Sequence, residues 1–363
     1  MKRLGISVYP QHEKIEETYE YLRLAGKYGF KRVFTCLLSA NKSKKETIDT
    51  FTSFCNCAHD NGLIVSIDTN PKAFDFLGAT PLNLSIFKQM GVDIIRLDGH
   101  FSEFEDIEIT KNEYGIIIEY NSSCTTPLEY MILNGANRSN MWICSNFYPQ
   151  QFTGIGLDRF KQFNELYLPL GLNSGVFICS QEKNTHGPWP VYDGLPTLEI
   201  HRYLPIDVQL RHLVALGYNN DFLIGNAFAS EEEMKIMSNI DLNKININID
   251  LIEHITSLEK EIVLSDFHAS RDDCNELIIR SSMTRVLHNG EISFRENKQQ
   301  SFKRGDVLIV NNNLEYYSGE LIIVLKDIPY NSNYNLVGRI PEQEHIIIDC
   351  IKPRYSFKLM IKG

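Results

Sequence analysis

LIVSIDTNPKAFDFLGATPLNLSIFKQMGVDIIRLD, Leu63 to Asp98, decides the fold of this chain. Leu63–Asp68 and Asp93–Asp98 are short, nearly continuous apolar runs rich in β-branched residues, as expected of parallel strands covered on both faces. Between them Pro81–Met90 has helical spacing and stops at Gly91. The stretch is one strand–helix–strand unit, and the same grammar extends on both sides. Strand-like runs recur at Leu4–Tyr9, Arg32–Leu38, Gly115–Tyr120, Trp142–Phe147, Gly175–Cys179 and Phe222–Ala227. Helical segments at Glu13–Tyr28, Ser43–His59, Leu157–Leu168 and Ile206–Leu216 lie between them, and glycines at 29, 62 and 217 close several. Eight such strands over about 230 residues fit a (β/α)8 (TIM) barrel. An open doubly wound sheet is the rival, but no GxGxxG follows the first strand.

The texture changes after Ser230, which caps one more short helix, SEEEMKIMSNI. Beyond Asn243 the runs ININIDLIEHI, EIVLSDFHA, ELIIRSS, DVLIVNNN, ELIIVLKDI, NLVGRI and HIIIDCI read as strands, with turns at Asn289–Gly290, Arg304–Gly305 and Ser318–Gly319. Residues 1–242 are therefore expected to form the barrel and residues 243–363 a smaller all-β domain, a small closed barrel.

Composition narrows the function. A net charge of −10 without a basic stripe argues against nucleic acid. No run approaches the ~20 apolar residues of a membrane span, and Pro10 and nearby charges interrupt the N-terminus too early for a secretory signal. The eight cysteines are scattered, which points to a reducing, cytoplasmic protein. His100, His186 and His201 are dispersed, with neither HxH nor HExxH, so a metal site is not expected. No GxSxG elbow or P-loop occurs.

In a barrel of this kind the chemistry collects at the C-terminal strand ends. Those ends carry Ser7, Tyr9 and His12, then Asp68 and Asn70, then Arg96, Asp98 and His100. They continue with Glu119, Asn121 and Ser123, with Asn146, Tyr148, Gln150 and Thr153, and with Asn226 and Ser230. The seventh strand opens into HGPWPVYDGLPTLEIHR, His186–Arg202, a long rigid loop holding Trp189, Glu199, His201 and Arg202. Paired carboxylates beside amides and aromatics suit glycoside hydrolysis. Glu119 and Asp98 form the expected central pair, with Asp68 and Glu199 in reserve. Each has a bland alternative: Asp68 could cap the TNP turn, Asp98 could pair with Arg96, and Glu199 could pair with Arg202. Glu119, a carboxylate inside an apolar strand, is the hardest to explain structurally.

LGISVYPQH, FTCLLS, IRLD, IEYNSS, NFYPQQFTG, DGLPTLEIHR, IGNAFASEEE and the late NLVGRI together resemble the bacterial 6-phospho-N-acetylmuramidase family, over essentially the whole chain. The resemblance implies a (β/α)8 barrel followed by a cyclophilin-like β domain. It implies cytoplasmic hydrolysis of the β-1,4 bond of MurNAc 6-phosphate–GlcNAc, a disaccharide imported and phosphorylated during cell-wall recycling. No metal or organic cofactor is expected, and the partner is this small phosphorylated amino-sugar disaccharide, with neither nucleic acid nor membrane. The oligomeric state stays open, a homo-oligomer included. The 2-acetamido group also permits a mechanism in which substrate oxygen attacks and a carboxylate only orients it, and Asn121 or Tyr148 would then help hold that group. Arg202, Arg280 and Arg339, or the turn from Asn226 to Ser230, are candidates for the phosphate, because arginine offers a bidentate fork. Arg96, Asn146, Trp189 and His201 complete the expected binding surface. The competing readings are a non-catalytic phosphosugar-binding or regulatory protein and, behind it, a phosphosugar isomerase. A Schiff-base aldolase is disfavoured, since no strand carries a lysine at its C-terminal end.

Overall fold

The computed structural model describes residues 1–10, 13–37, 43–288, 290–296 and 299–361. His12, Leu38 and Asn289, used above, lie outside them. The chain divides into two units, Met1–Leu210 with Tyr218–Asn239, and Arg211–Gly217 with Ile240–Gly363.

In the first unit eight parallel strands close into a barrel in sequence order. They are β1 (Arg3–Ser7), β2 (Arg32–Cys36), β3 (Ile64–Thr69), β4 (Ile94–Leu97), β5 (Ile117–Asn121), β6 (Met141–Cys144), β7 (Asn173–Ile178) and β8 (Asp221–Ile224). β1 pairs with β8 to complete the ring. Alternation along each strand sends every second side chain inward. One interior layer is apolar, built from Phe34, Cys36, Cys144, Phe177 and Leu223. Room for it comes from Gly5 and Gly175: a Cβ on Gly5 would lie 2.4 Å from Leu223 Cδ2, and one on Gly175 2.8 Å from Cys144 Sγ. The outward strand residues face helices whose starts the sequence specifies. Ser43 and Glu46 form a capping box on Lys44–Asp60, and Ser230 and Glu233 form one on Glu231–Ser238. Three short helices, Pro71–Leu77, Glu103–Glu108 and Leu128–Leu133, are additions to the sequence reading. They are only one to two turns long, too short for a clear helical period.

The second unit is mostly sheet. Its strands are β9 (Ile245–Leu251), β10 (His268–Ala269), β11 (Ile278–Ser281), β12 (Ser301–Phe302), β13 (Asp306–Val310), β14 (Leu321–Val324), β15 (Ile328–Pro329), β16 (Tyr334–Arg339) and β17 (Ser356–Ile361). Seven of them form one sheet in the order β10-β17-β9-β16-β13-β14-β11, and β12 pairs with β15. The two edges of the large sheet meet. Arg271 N–H donates to the Arg280 carbonyl at 3.2 Å, and Ala269 N–H donates to Ser281 Oγ at 3.3 Å. The sheet thus curls back on itself around Phe302, Leu308, Val310, Ile322, Val324 and Leu336.

Two strand expectations fail here. EIVLSDFHA begins inside a helix, Ser257–Val263, because Thr256 and Glu259 form a reciprocal capping box. HIIIDCI begins as the helix His345–Ile348, continuing a helical turn at Glu342–Glu344 that follows Pro341. The strands unforeseen in sequence are the two-residue β12 and β17, the latter running parallel to β9 and burying Phe357 and Leu359. Among the described residues no helix is long and apolar enough to cross a membrane.

Candidate active site

The C-terminal ends of β3, β4 and β6 bring four polar side chains together. Asp68 and Arg96 are register partners on β3 and β4, and Arg96 Nη1 donates to Asp68 Oδ1 at 2.6 Å. The same nitrogen reaches Asp98 Oδ1 at 3.5 Å, while Nη2 donates to Asn146 Oδ1. Asp68 and Arg96 are buried, whereas the Asp98 side chain is 41% exposed. The suspected capping role of Asp68 falls to Asn70 instead, whose Oδ1 accepts from Ala73 N–H at 3.0 Å. That leaves Asp68 free to face the barrel axis. These four residues line a cavity of about 180 Å³ together with Phe147, Pro149 and Trp189.

The electrostatics distinguish the two carboxylates. Burial pushes the Asp68 carboxyl up to about 6, against the pull of Arg96 and with help from the neighbouring Asp98 charge. Arg96 divides its donors among three acceptors, so it compensates the Asp68 charge only in part. Asp98 keeps contact with water on the open side. One carboxyl able to hold a proton near neutrality beside an open carboxylate is the division of labour an acid-catalysed bond cleavage uses.

Glu119 does not join them. It lies deeper on β5 with its side chain 0% exposed, and Arg32 Nη2 donates to its Oε2 at 2.6 Å. Arg32 also binds Asp221 at 2.9 Å and Ser66 Oγ at 2.8 Å. These residues form a charged layer inside the barrel, and Glu119 does not line the cavity. The partner that sequence could not supply for this carboxylate is Arg32, three strands away.

Glu199 and Arg202 form a staple. Arg202 Nε and Nη2 each donate to Glu199 at 2.7 Å, and the remaining donors reach the carbonyls of Tyr148, Gln150, Asp193 and Gly194. Glu199 in turn accepts from Phe152 and Gly154 N–H. Every Arg202 donor is engaged, so this guanidinium has none to offer a phosphate. The staple locks the loop after β6 to the loop after β7, and that fixes the wall made by Phe147 and Pro149.

The other expected residues take supporting places. Asn121 Oδ1 accepts from Ser123 N–H and holds the turn after β5. Tyr148 is half-buried, its hydroxyl pushed up by burial. His201 is buried. Asn226 binds the Ser180 backbone and Thr185 Oγ1, tying the loop after β8 to that after β7. In the second unit Arg280 pairs with Asp273 and Glu320, and Arg339 with Asp306.

A second cavity, of about 470 Å³, opens in the loop after β7 and shares Trp189 with the first. Lys183, Asn184, Thr185, His186 and Tyr192 line it. The sequence reading missed Lys183 because it treated only the stretch from His186 onward as special. It also missed Glu13, which stands behind His186 with Oε1 3.5 Å from Nε2. Phe147 and Pro149 were legible as part of NFYPQQFTG but were not singled out. Among the described residues no group of three or more His, Cys, Asp or Glu side chains is placed to hold a metal ion.

Comparison with known proteins sets this geometry in context. The family model described as 6-phospho-N-acetylmuramidase, N-terminal, matches residues 4–239, and its C-terminal counterpart matches residues 245–360. An uncharacterized protein from B. cereus is similar at 38% identity and a TM-score of 0.91, covering 99% of this chain and 100% of its own. A conserved Enterococcus faecalis protein of unknown function shares the fold at 24% identity and a TM-score of 0.71, covering 99% of this chain and 97% of its own. No curated protein matches.

Proposed function

The chain belongs to the 6-phospho-N-acetylmuramidase family, and from that premise we propose that it hydrolyses the β-1,4 bond of MurNAc 6-phosphate–GlcNAc in the cavity at the barrel mouth. The observation that carries this reading is the Asp68–Arg96–Asp98 cluster, two carboxyl groups held by one guanidinium at the C-terminal strand ends. Asp68 is the general acid, delivering its proton to the glycosidic oxygen as the bond breaks. Asp98 is the carboxylate that balances the positive charge developing at the anomeric carbon. Water supplies hydroxyl to that carbon and its proton restores Asp68, giving MurNAc 6-phosphate and GlcNAc. Arg96 keeps the two carboxyl groups in register and Asn146 fixes Arg96 from the far side. Trp189, 42% exposed, offers an apolar face to a sugar ring.

On this reading the enzyme needs no cofactor, acts in the cytoplasm on an imported and phosphorylated disaccharide, and serves cell-wall recycling. The cyclophilin-like assignment of the second unit belongs to the same reading. The test is stoichiometric: purified protein given the phosphorylated disaccharide should release one GlcNAc for each MurNAc 6-phosphate. Ligand binding without release would move the chain to the non-catalytic phosphosugar-binding reading.

A further inference from the structure

A phosphorylated sugar must have its phosphate met by a cation or by convergent donors. The arginines that sequence offered are committed elsewhere: Arg202 is saturated by its staple, Arg280 pairs with Asp273 and Glu320, and Arg339 with Asp306. Arg96 is divided among Asp68, Asp98 and Asn146.

The cavity beside the carboxylates differs in kind. Lys183 lines it, is exposed, and forms no ion pair among the described residues. Asn184 contributes an exposed amide next to it. The loop they stand on is rigidly seated. Ala227 N–H donates to the His186 carbonyl at 2.8 Å, Asn226 Nδ2 reaches Ser180 O and Thr185 Oγ1, and Glu233 accepts from Gln181 N–H at 2.9 Å. These contacts fasten the loops after β7 and β8 to each other, the position at which barrels of this class most often hold phosphate. The His186 ring lines the cavity and is oriented by the Gly187 carbonyl, 3.0 Å from Nδ1, and by Glu13 behind it. Neither other carboxylate of this stretch, Glu182 or Asp193, lines the cavity. Trp189 lines both this cavity and the one holding Asp68 and Asp98.

We infer that Lys183, supported by Asn184 and His186, is the phosphate-recognising group of this chain and sets its preference for a phosphorylated sugar. The inference rests on the glycosidase reading for the identity of the sugar, not for the anion site itself. The sugar ring lies against Trp189, with its phosphate on the Lys183 side and its anomeric carbon on the Asp68 side.

The test is a calorimetric titration of full-length protein with MurNAc 6-phosphate and with MurNAc, for wild type, Lys183→Met and Lys183→Arg. Wild type should prefer the phosphorylated sugar. Lys183→Met should shrink that preference roughly 10- to 100-fold, the range of a charge-assisted contact, and Lys183→Arg should keep most of it. Because Lys183 is exposed and forms no ion pair among the described residues, both substitutions should leave folding intact. A Lys183→Met protein with the wild-type preference, or a wild type that binds both sugars equally, overturns the inference. Absence of disaccharide hydrolysis with the binding preference intact would instead sink the glycosidase reading and leave the phosphate site standing.

Discussion

Asp68 and Arg96 face each other across neighbouring barrel strands, with Nη1 2.6 Å from Oδ1, and the same nitrogen stands 3.5 Å from Asp98. One guanidinium thus couples a buried carboxyl to an open one at the mouth of the barrel. Burial outweighs that guanidinium at Asp68 and leaves its carboxyl near 6. The proposed chemistry depends on this imbalance, and it can be perturbed at each member.

The pH dependence follows from the sign. A general acid must be protonated to act, so kcat/KM should fall as pH rises through about 6. Asp68→Asn should lose at least ~100-fold in kcat and abolish that descending limb. A pH–rate profile of both proteins checks this; a wild-type rate flat from pH 5 to 8 would remove Asp68 as the acid.

Glu119→Gln should damage stability rather than chemistry. It removes one partner of a fully buried pair and leaves Arg32 with Asp221 and Ser66. Losses of ~3–5 kcal/mol are typical of such a change. Thermal melts should shift down by many degrees, while turnover per folded molecule stays within a few-fold of wild type. An unshifted melt with turnover abolished would put Glu119 back into the mechanism.

The Glu199–Arg202 staple predicts an acid-sensitive loop pair. Hydrogen bonds from Arg202, and then from Phe152 and Gly154, hold the Glu199 carboxyl down to about 2. A depressed carboxylate contributes stability that is present above its unfolded value and lost as pH falls through the folded one. Glu199→Gln should therefore lower the melting temperature by several degrees at pH 7, consistent with ~1–3 kcal/mol. The gap from wild type should narrow between about pH 4 and pH 2. Melts of both proteins across that range decide it, and a gap constant with pH would contradict the staple.

Trp189→Ala should raise KM for the disaccharide about tenfold or more with kcat changed less, since the ring forms a wall of both cavities and carries no proton. Steady-state kinetics separate the two parameters, and an unchanged KM would place the sugar elsewhere.

The barrel was legible because each of its strands is a short apolar run with a glycine or proline boundary, and parallel pairing needs little more. The second unit was harder. Capping boxes such as Thr256–Glu259 overrule the β-rich composition that follows them, and a local pattern says nothing about which strands a curled sheet will join. Of the residues lining the smaller cavity, Asp68, Arg96, Asp98, Asn146 and Trp189 were all named from sequence, the first four because strand ends announce themselves and Trp189 because its loop is unusually long and rigid. What sequence does not supply is depth. Glu119 and Asp68 look alike on their strands, yet Arg32 from β2 claims the first, a pairing no spacing along one strand reveals. Arg202 stood out for the same reason, although its donors turn inward to its own loop.

The most direct measurement is a competition. An equimolar mixture of MurNAc 6-phosphate–GlcNAc and MurNAc–GlcNAc is incubated with wild type and with Asp68→Asn, and both disaccharides are followed by mass spectrometry. The account predicts that wild type consumes the phosphorylated sugar first, releasing GlcNAc, and that Asp68→Asn leaves both nearly intact. Persistence of both disaccharides with wild type, or undiminished cleavage by Asp68→Asn, would contradict it.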